Sequence, residues 1–472
     1  MTLKLIESFL LLWPQWAACS AVSLLSVSFG LMIGWTSPYL AQLTVKNSEF
    51  FITEDEAAWV VSLLPFGRLF GAVAGSIIME YYGSKRALLA TGVPATFGWI
   101  CIIFANSAFW LYISRFCAGI SQGMFFSCFA IYIGEIASAR IRGALVSTII
   151  NGMPVGTLLG NIMGSQMSMM CFGIISLTLN ISYLVVFPLL PQSPHYHVRL
   201  ENENEAKKSI QWYNRTSDVK AELELIEDFV KSTESKSFRD TFKQILERKN
   251  RRVFTMILLL FVFMQLSGLN TVTYYMEIIV RSAKVQSLEP STVVIISGGF
   301  GIVVGWISVY LIDLCGRRFL IAVSCSCVIV SMAILGLHFM LLDHNFDPQK
   351  LEWLPILGMI LFMMMSIGLI PVPSTMLSEL FPDHLKSIAG FSVSVTSAIF
   401  AFISSRTFQP LINLMTEKYV FWMYGVMMVV CLVYALTAIP ETKGKTLQEI
   451  QEMLDRESRQ GERSSELTRM ER

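Results

Sequence analysis

The chain has 472 residues, of which 54% are hydrophobic and 15% are charged, with a formal net charge of +1. Soluble domains usually carry about a quarter charged residues, so this composition excludes an ordinary water-soluble protein and favours a membrane protein. The balanced charge argues against a nucleic-acid partner. Nearly all of the nine cysteines fall inside apolar runs, so no disulfide framework is expected.

Apolar runs long enough to cross a bilayer recur along the whole chain. A spanning helix needs roughly 20 apolar residues. Twelve runs meet this length, near residues 15–38, 57–79, 87–106, 110–134, 143–166, 170–190, 253–279, 292–313, 319–341, 353–377, 387–411 and 417–439. The sequence therefore predicts an all-α membrane protein with twelve transmembrane helices. The first run is interpreted as a retained span, since it lacks the cleavage site of a signal peptide.

The short loops alternate in basic charge. Basic pairs follow the second, fourth and eighth runs, namely Lys85 with Arg86, Arg140 with Arg142, and Arg317 with Arg318. The loops between them are poor in lysine and arginine. By the positive-inside rule, both termini are expected in the cytoplasm.

A polar stretch separates the sixth run from the seventh. Residues 192–252 mix acidic and basic side chains with apolar residues at helical spacing, which predicts cytoplasmic amphipathic helices. The stretch is either a solvated linker or a regulatory module. The predicted organisation is a six-helix bundle over 1–191, this linker over 192–252, a second six-helix bundle over 253–440 and a cytoplasmic tail over 441–472.

Charged motifs repeat between the two halves. After the second and eighth runs, an acid is followed by a glycine and then by basic residues: Glu80, Gly83, Lys85 and Arg86 in one case, Asp313, Gly316, Arg317 and Arg318 in the other. A second pair of motifs follows the fourth and tenth runs, where Glu135 precedes Arg142 and Glu379 precedes Lys386 by seven positions. The two repeats have nearly the same offset, which indicates an internal duplication.

These acids and bases lie at the predicted cytoplasmic ends of neighbouring helices. Ion pairs in such a partly dry setting are stronger than surface pairs. If the pairs form only while the cytoplasmic mouth is closed, they are conformational latches between two states. The alternative is that the charges only set the topology.

Together, these and further motifs resemble the sugar porters of the major facilitator superfamily. The further motifs are Arg115 with Gly119 in the fourth run, Pro191–Pro194, Gln265–Asn270, Glu379–Pro382 and Pro440–Thr446. The resemblance covers essentially the whole chain, and Gly34–Pro38 is similar to the insect branch of facilitated trehalose transporters. It implies two six-helix bundles around a central cavity, alternating access by rocking of the halves, and a place for Arg115 among the latches.

A sugar site needs amides or hydroxyls at membrane depth beside an aromatic surface, because sugar hydroxyls both donate and accept hydrogen bonds. The resemblance implies that Gln265 and Asn270 are sugar ligands and that Asn161 is a fifth-span amide ligand. It also implies that Tyr274 and Tyr275 gate the outer side. For each polar side chain, a satisfied interhelical hydrogen bond is the alternative.

Four positions depart from the family pattern. Met264, Gly301, Ser374 and Val393 stand where sugar porters usually carry a glutamine, an asparagine, a tryptophan and an asparagine. Fewer fixed hydrogen-bond partners would weaken hexose binding. The site could instead suit a larger, differently held sugar or another solute.

The first run carries no titratable group where proton-linked sugar porters have an aspartate. Phe29 and Gly30 are followed by Leu31 and Met32. This departure indicates a facilitator that runs down its gradient.

Arg68 lies midway along the second run, where a charge needs a partner or water. It either attracts an anionic solute or pairs with an acid such as Glu277 or with a carbonyl group.

The sequence thus predicts a plasma-membrane facilitator for a sugar, either trehalose or a hexose, acting as a monomeric transport unit. Two alternatives remain open: the same fold moving a non-sugar, possibly anionic, solute, and a sugar-binding nutrient sensor. No cofactor or metal site is expected. An enzyme is disfavoured, because no cluster of nucleophile, base and orienting acid is found.

Overall fold

The computed structural model describes residues 2–45, 50–138, 141–215, 218–234, 243–381, 383–441, 443 and 449. Helices dominate these ranges. Those of the first half and the linker are α1 (Thr2–Gly34), α2 (Thr36–Leu43), α3 (Glu54–Tyr82), α4 (Ser84–Ile103), α5 (Ala108–Ile136), α6 (Arg142–Gln166), α7 (Met169–Val186), α8 (Pro194–Arg199), α9 (Glu203–Tyr213) and α10 (Val219–Glu234). Those of the second half are α11 (Arg248–Leu266), α12 (Leu269–Ser282), α13 (Pro290–Cys315), α14 (Arg317–Asp343), α15 (Pro348–Leu351), α16 (Trp353–Phe362), α17 (Pro371–Leu380), α18 (Asp383–Met415) and α19 (Glu417–Ala438).

Twelve helical stretches are long and apolar enough to cross a membrane. They are Leu12–Leu43, Glu54–Tyr82, Ser84–Ile103, Ala108–Ile136, Arg142–Gln166, Met169–Leu189, Asn250–Ser282, Pro290–Ile312, Arg317–Asp343, Pro348–Leu380, Ile388–Met415 and Glu417–Ala438. Each overlaps one predicted run, so the prediction of twelve spans in an all-α fold is confirmed. The spans are numbered in this order below. The side of the membrane that holds both chain ends is called the terminus side, and the other the opposite side.

Gly83 and Gly316 make two matching tight joins between consecutive spans. Gly83 joins α3 to α4 with φ 84° and ψ 165°, and Gly316 joins α13 to α14 with φ 89° and ψ 158°. Glycine adopts this backbone conformation readily, whereas residues with a side chain rarely do. Gly83 and Gly316 are separated by the same number of positions as Glu80 and Asp313. The repeat in the sequence is therefore also a repeat in backbone geometry.

Glycines bring helix backbones of the first half into direct contact. A Cβ on Gly67 of the second span would lie 2.3 Å from the carbonyl oxygen of Phe116 in the fourth span. A Cβ on Gly156 of the fifth span would lie 2.2 Å from the carbonyl oxygen of Val27 in the first. Such small-residue seams let membrane helices approach closely. In the second half, a Cβ on Gly368 would likewise lie 2.2 Å from the Leu320 carbonyl oxygen, whereas Gly299 has no other atom among the described residues within 4 Å of that position.

The seventh and tenth spans are interrupted helices. The seventh consists of α11 and α12 with Gly268 between them, and the tenth contains a 3-10 segment, Met363–Ile367, between α16 and α17. Non-helical backbone inside a span is tolerated where protein buries it or where it lines a cavity. These breaks therefore point to the interior between the halves.

The linker helices α8, α9 and α10 pack on the terminus side of the first half. Ala206, Ile210, Leu223, Ile226 and Val230 form a small apolar cluster of their own. The Gln15 side chain ties this unit to the bundle, because it donates to the Tyr213 carbonyl at 3.0 Å and accepts from the Ser138 amide at 3.0 Å.

Candidate functional site

The break in the seventh span brings two predicted site residues together. Gly268 has φ 83° in the left-handed region, and its Cα faces the ring of Tyr424 closely enough that a Cβ would lie 3.3 Å from it. Glycine fits here on both grounds. The turn allows the Asn270 amide to donate to Gln265 Oε1 at 2.7 Å across the break.

Gln265 extends this contact to the eleventh span. Its Nε2 donates to Ser397 Oγ at 2.7 Å, and Gln265 is only 2% exposed. The same Ser397 hydroxyl accepts a hydrogen bond from Arg68 of the second span at 3.2 Å. Asn270, Gln265, Ser397 and Arg68 thus form one hydrogen-bonded chain, called the central relay below, at the depth where the two halves meet. Satisfied polar networks of this kind hold their members in one geometry.

Asn161 lies apart from the central relay as the structure describes it. The side chain is 8% exposed, on the fifth span beside the eighth. Its Nδ2 lies 4.0 Å from the position that a Cβ on Gly298 would take, so the glycine leaves room for the amide. Asn161 therefore sits at a second junction between the halves.

Tyr274 and Tyr275 are both buried in α12, just beyond the break. The Tyr275 ring packs against Phe408, with ring centroids 5.0 Å apart, and its hydroxyl has no hydrogen-bond partner among the described residues. Both tyrosines therefore lie between the central relay and the opposite side of the membrane.

Polar contacts close the opposite side across the two halves. Arg406 pairs with Asp55 at 2.6 Å and lies over the Trp59 ring, and Gln409 donates to Glu54 at 2.9 Å. Nearer the middle, Phe66 and Phe402 follow, with ring centroids 5.2 Å apart. The second and eleventh spans are thus joined from the opposite side down to the central relay.

The first and seventh spans are joined on the same side. The Glu277 amide donates to Ser37 Oγ at 2.9 Å, and Arg281 donates to the Ala41 carbonyl at 2.7 Å. Arg281 also pairs with the Glu277 carboxylate at 3.4 Å. These contacts belong to a conformation in which the opposite side is shut.

On the terminus side, an ion pair lies within the second half. Arg317 donates to Glu379 Oε1 through Nη2 at 2.7 Å and through Nε at 3.2 Å, and to the Ile312 carbonyl at 3.0 Å. Glu441 accepts from the Arg317 and Arg318 amides at 3.1 Å each. A carboxylate at a helix N-terminus satisfies amides that have no partner within the helix.

Two of the predicted latches in this cluster are less fully described. The side chain of Asp313 lies outside the described residues, although its backbone belongs to α13. Lys386 lies in the first turns of α18, seven positions after Glu379 as the repeat requires.

The matching cluster of the first half uses neutral partners. Ser84 Oγ donates to Glu135, Lys85 donates to the Pro188 and Leu190 carbonyls, and Arg86 donates to the Tyr196 hydroxyl at 3.0 Å. The Arg142 guanidinium donates to the Ala137 carbonyl at 3.3 Å, and the Glu80 side chain is exposed. Among the described residues of this cluster, the acids and bases therefore bond to neutral groups and do not pair directly as Arg317 and Glu379 do.

His195 begins the linker beside this cluster. Burial, and to a smaller extent the positive charge of Arg142, lower the pKa of the imidazole to about 4. The ring is therefore neutral at physiological pH.

Arg115 lies far from the terminus-side cluster. It precedes Glu135 by twenty positions on the same continuous helix, which corresponds to about 30 Å. Its guanidinium donates to the Met32 carbonyl at 2.7 Å and to Thr36 Oγ at 2.8 Å, and it stacks on Trp35 at 4.4 Å. The structure thus places Arg115 as a link between the fourth and first spans.

Sequence reasoning missed three polar residues of these clusters. Ser397 and Ser84 carry no signal, because serine recurs throughout the apolar runs. Glu441 lies in the Pro440–Thr446 motif, but the amides that it binds are 124 and 123 positions away in the sequence, so spacing does not reveal the contact.

Comparisons with known proteins agree with this geometry. A family model described as "Sugar (and other) transporter" matches residues 18–454. The facilitated trehalose transporter Tret1 of Bombyx mori is 30% identical over 452 residues, which cover 95% of this chain and 88% of that protein. Tret1 of Drosophila mojavensis is 29% identical over 443 residues, covering 93% of this chain and 51% of that protein, so the chain spans about half the length of this relative.

Among solved structures, the inward-open xylose transporter XylE from E. coli has a TM-score of 0.76 at 19% identity, covering 93% of this chain and 99% of that one. The proton:xylose symporter XylE bound to 6-bromo-6-deoxy-D-glucose has a TM-score of 0.73 at 18% identity with the same coverage. The fold is that of the major facilitator superfamily. With the family model matching nearly its whole length, the chain belongs to the sugar transporter family, whose members are multi-pass membrane transporters and not enzymes.

Proposed function

We propose that this protein carries a sugar, either trehalose or a hexose, across the plasma membrane by facilitated diffusion. The observation that supports this best is the central relay, in which two amides and a hydroxyl meet at the junction of the halves. Such groups match the donors and acceptors of sugar hydroxyls. The names of the Bombyx and Drosophila relatives favour trehalose as the first sugar to try.

The central relay suits a site that must fill and empty. Without substrate, Asn270 donates to Gln265 and Gln265 donates to Ser397, so both amides have a hydrogen-bond partner in the empty site. A bound sugar would exchange these bonds for its own hydroxyls at little net cost. Asn161 is proposed as a further ligand, reached when the halves close around the substrate.

Alternating access would then follow from the two sets of clusters. With both termini in the cytoplasm, the joined opposite side is extracellular, and this conformation faces the cytoplasm. Tyr274 and Tyr275 are proposed as part of the extracellular gate. The terminus-side residues are proposed as latches that stabilise each half as it rocks (Glu80, Lys85, Arg86, Glu135, Arg142, Asp313, Arg317, Arg318, Glu379 and Lys386). Arg115 is proposed to hold the first span in register.

The proposed division of the chain follows the same motion. The bundles over 1–191 and 253–440 are the moving bodies, joined by the linker over 192–252 and followed by the tail from 441. We propose a single chain as the transport unit.

Uncoupled transport is supported by the first span. Its residues from Leu12 to Leu43 include no aspartate, glutamate or histidine, and both Leu31 and Met32 are buried apolar residues. A proton-coupled cycle needs a group that gains and loses a proton along the pathway, and this span offers none.

The test is uptake of labelled trehalose and glucose into proteoliposomes that contain the purified full chain. We expect saturable uptake that stops at equal concentrations and is unchanged by an inward proton gradient. Gln265→Ala should lower uptake at least tenfold, because it removes both bonds at the centre of the relay. Gln349→Ala, the same substitution at an exposed Gln286 contact, is the matched control and should leave uptake unchanged.

Two outcomes would overturn the proposal. Accumulation above equilibrium under a proton gradient would show coupling and refute facilitated diffusion. Absence of sugar uptake by folded, reconstituted protein would refute a sugar as the substrate.

A further inference from the structure

Arg68 places a full positive charge at the middle of the bilayer. It is fourteen residues from each end of α3, which corresponds to about 21 Å on either side. A charged side chain at this depth costs several kcal/mol by insertion scales unless it is compensated, and such residues usually mark a solute pathway.

The compensation within the described residues is incomplete. The single hydrogen bond of Arg68 goes to Ser397 Oγ at 3.2 Å, and a hydroxyl carries no negative charge. The sequence suggested an acid such as Glu277 as partner, but Glu277 pairs with Arg281. Two acids of the second span contact the second half, and both have partners there: Asp55 pairs with Arg406, and Glu54 accepts from Gln409.

A comparison with Arg115 separates a structural arginine from one poised for a ligand. Arg115 is 1% exposed, donates to two neutral acceptors and stacks on Trp35, so its surroundings enclose it. Arg68 is only half-buried and has one such bond. Part of its guanidinium can therefore donate hydrogen bonds to a further partner.

The position of Arg68 indicates that this further partner is the transported solute. Its bond to Ser397 makes it the end of the central relay, one hydroxyl away from Gln265. We propose that Arg68 makes the site prefer sugars that carry an acidic group, a carboxylate or a phosphate, over neutral sugars of the same size. This inference rests on the function proposed above and specifies its substrate class.

Guanidinium geometry supports this choice. The planar fork of arginine binds a carboxylate or a phosphate through two parallel hydrogen bonds, which a single hydroxyl cannot offer. An acidic sugar would thus replace Ser397 at the guanidinium while its hydroxyls bind Gln265 and Asn270. Because such a solute is charged, its uncoupled transport carries electric current.

The experiment compares glucuronate, glucose 6-phosphate and glucose, each labelled, in proteoliposomes held at a fixed membrane potential. For the unaltered chain we expect at least one acid to be taken up faster than glucose. A membrane potential that is negative inside the vesicle should slow uptake of the acid and leave glucose uptake unchanged. Arg68→Gln, which keeps a hydrogen-bond donor but removes the charge, should lower the ratio of acid to glucose uptake by about tenfold to a hundredfold. Arg68→Lys should retain only part of the preference, because it keeps the charge and loses the bidentate geometry. Ser397→Ala should change the ratio less than Arg68→Gln.

Each possible result of this experiment either supports or overturns the preference for acidic sugars. Glucose uptake with both acids excluded would overturn the acidic preference and leave sugar transport standing. An equal fall of acid and glucose uptake in Arg68→Gln would overturn it too, because that result assigns Arg68 a purely structural role. No uptake of any of the three by vesicles that take up labelled trehalose would overturn the acidic preference alone, and no uptake of trehalose either would overturn both proposals. Preference for glucuronate or for glucose 6-phosphate identifies the acidic group.

Discussion

The Arg317–Glu379 pair on the terminus side offers the sharpest quantitative test. We consider Glu379→Gln, which keeps the shape of the side chain and removes its charge. Arg317 would lose two charge-assisted contacts to Oε1, at 2.7 and 3.2 Å, and keep its bond to the Ile312 carbonyl.

The size of the loss follows from how far the pair is buried. The side chains are 11% and 24% exposed, which lies between two measured limits. Exposed pairs contribute about 0–1 kcal/mol, and removal of one partner of a fully buried pair costs about 3–5 kcal/mol. We therefore expect Glu379→Gln to lower the free energy of unfolding by about 2 kcal/mol, mostly as coupling between the two side chains.

The assay is unfolding by SDS in mixed micelles, applied to a double-mutant cycle of Glu379→Gln and Arg317→Gln. The matched control is the cycle of Glu135→Gln and Arg142→Gln in the first half. Its coupling should be below about 0.5 kcal/mol, because Glu135 bonds to Ser84 and Arg142 to a carbonyl. Equal coupling in the two cycles, or coupling below about 0.5 kcal/mol for the first, would refute the reasoning.

Three further predictions concern the bend, the extracellular gate and the linker. Gly268→Ala should destabilise the protein by about 1–2 kcal/mol in the SDS assay, owing to its positive φ, and Gly299→Ala, which faces open space, should not; similar losses would count against this. Under the proposed orientation, Asp55→Asn should lower the external sugar concentration for half-maximal uptake by up to about fivefold, since it weakens a contact that shuts the opposite side; an increase would contradict this. Stability should fall as pH drops from about 6.5 to 4, because in this range His195 binds a proton in the unfolded chain and stays neutral in the folded one, where its pKa is about 4. His195→Gln should therefore make the melting temperature less dependent on pH, and an unchanged pH dependence would argue against this.

The membrane fold could be predicted from sequence because the bilayer imposes its thickness on every span. Each apolar run of about 20 residues had to become a helix, since no other backbone structure satisfies its own hydrogen bonds in lipid within this composition. Gly83 and Gly316 stood out as members of the repeated motif, and glycine suits both joins because L side chains rarely adopt their positive φ.

The site could be predicted only in part. Gln265 and Asn270 stand out as amides in an apolar run, but their bond depends on the left-handed turn at Gly268, which spacing on an ideal helix does not reveal. Ser397 is one serine among many in its span, and only tertiary packing brings it to both Gln265 and Arg68.

The latch motifs show the same limit. The repeat predicts the same charge at matching positions of the two halves, and Glu135 and Glu379 are such a matching pair. Their partners differ because Glu379 meets a guanidinium and Glu135 meets the hydroxyl of Ser84. A repeat in sequence therefore fixes position without fixing the contact made there.

The glycine seams of the first half have a mechanical consequence. Where a Cβ at Gly67 or Gly156 would strike a carbonyl oxygen, two helices share one interlocked backbone surface that has no side chains to slide or repack. The second half has such a contact at Gly368, beside the Leu320 carbonyl, but its seventh and tenth spans are interrupted and can bend at the breaks. During a rocking cycle the first half should thus behave as a stiff frame, and most internal bending should be taken up by the second.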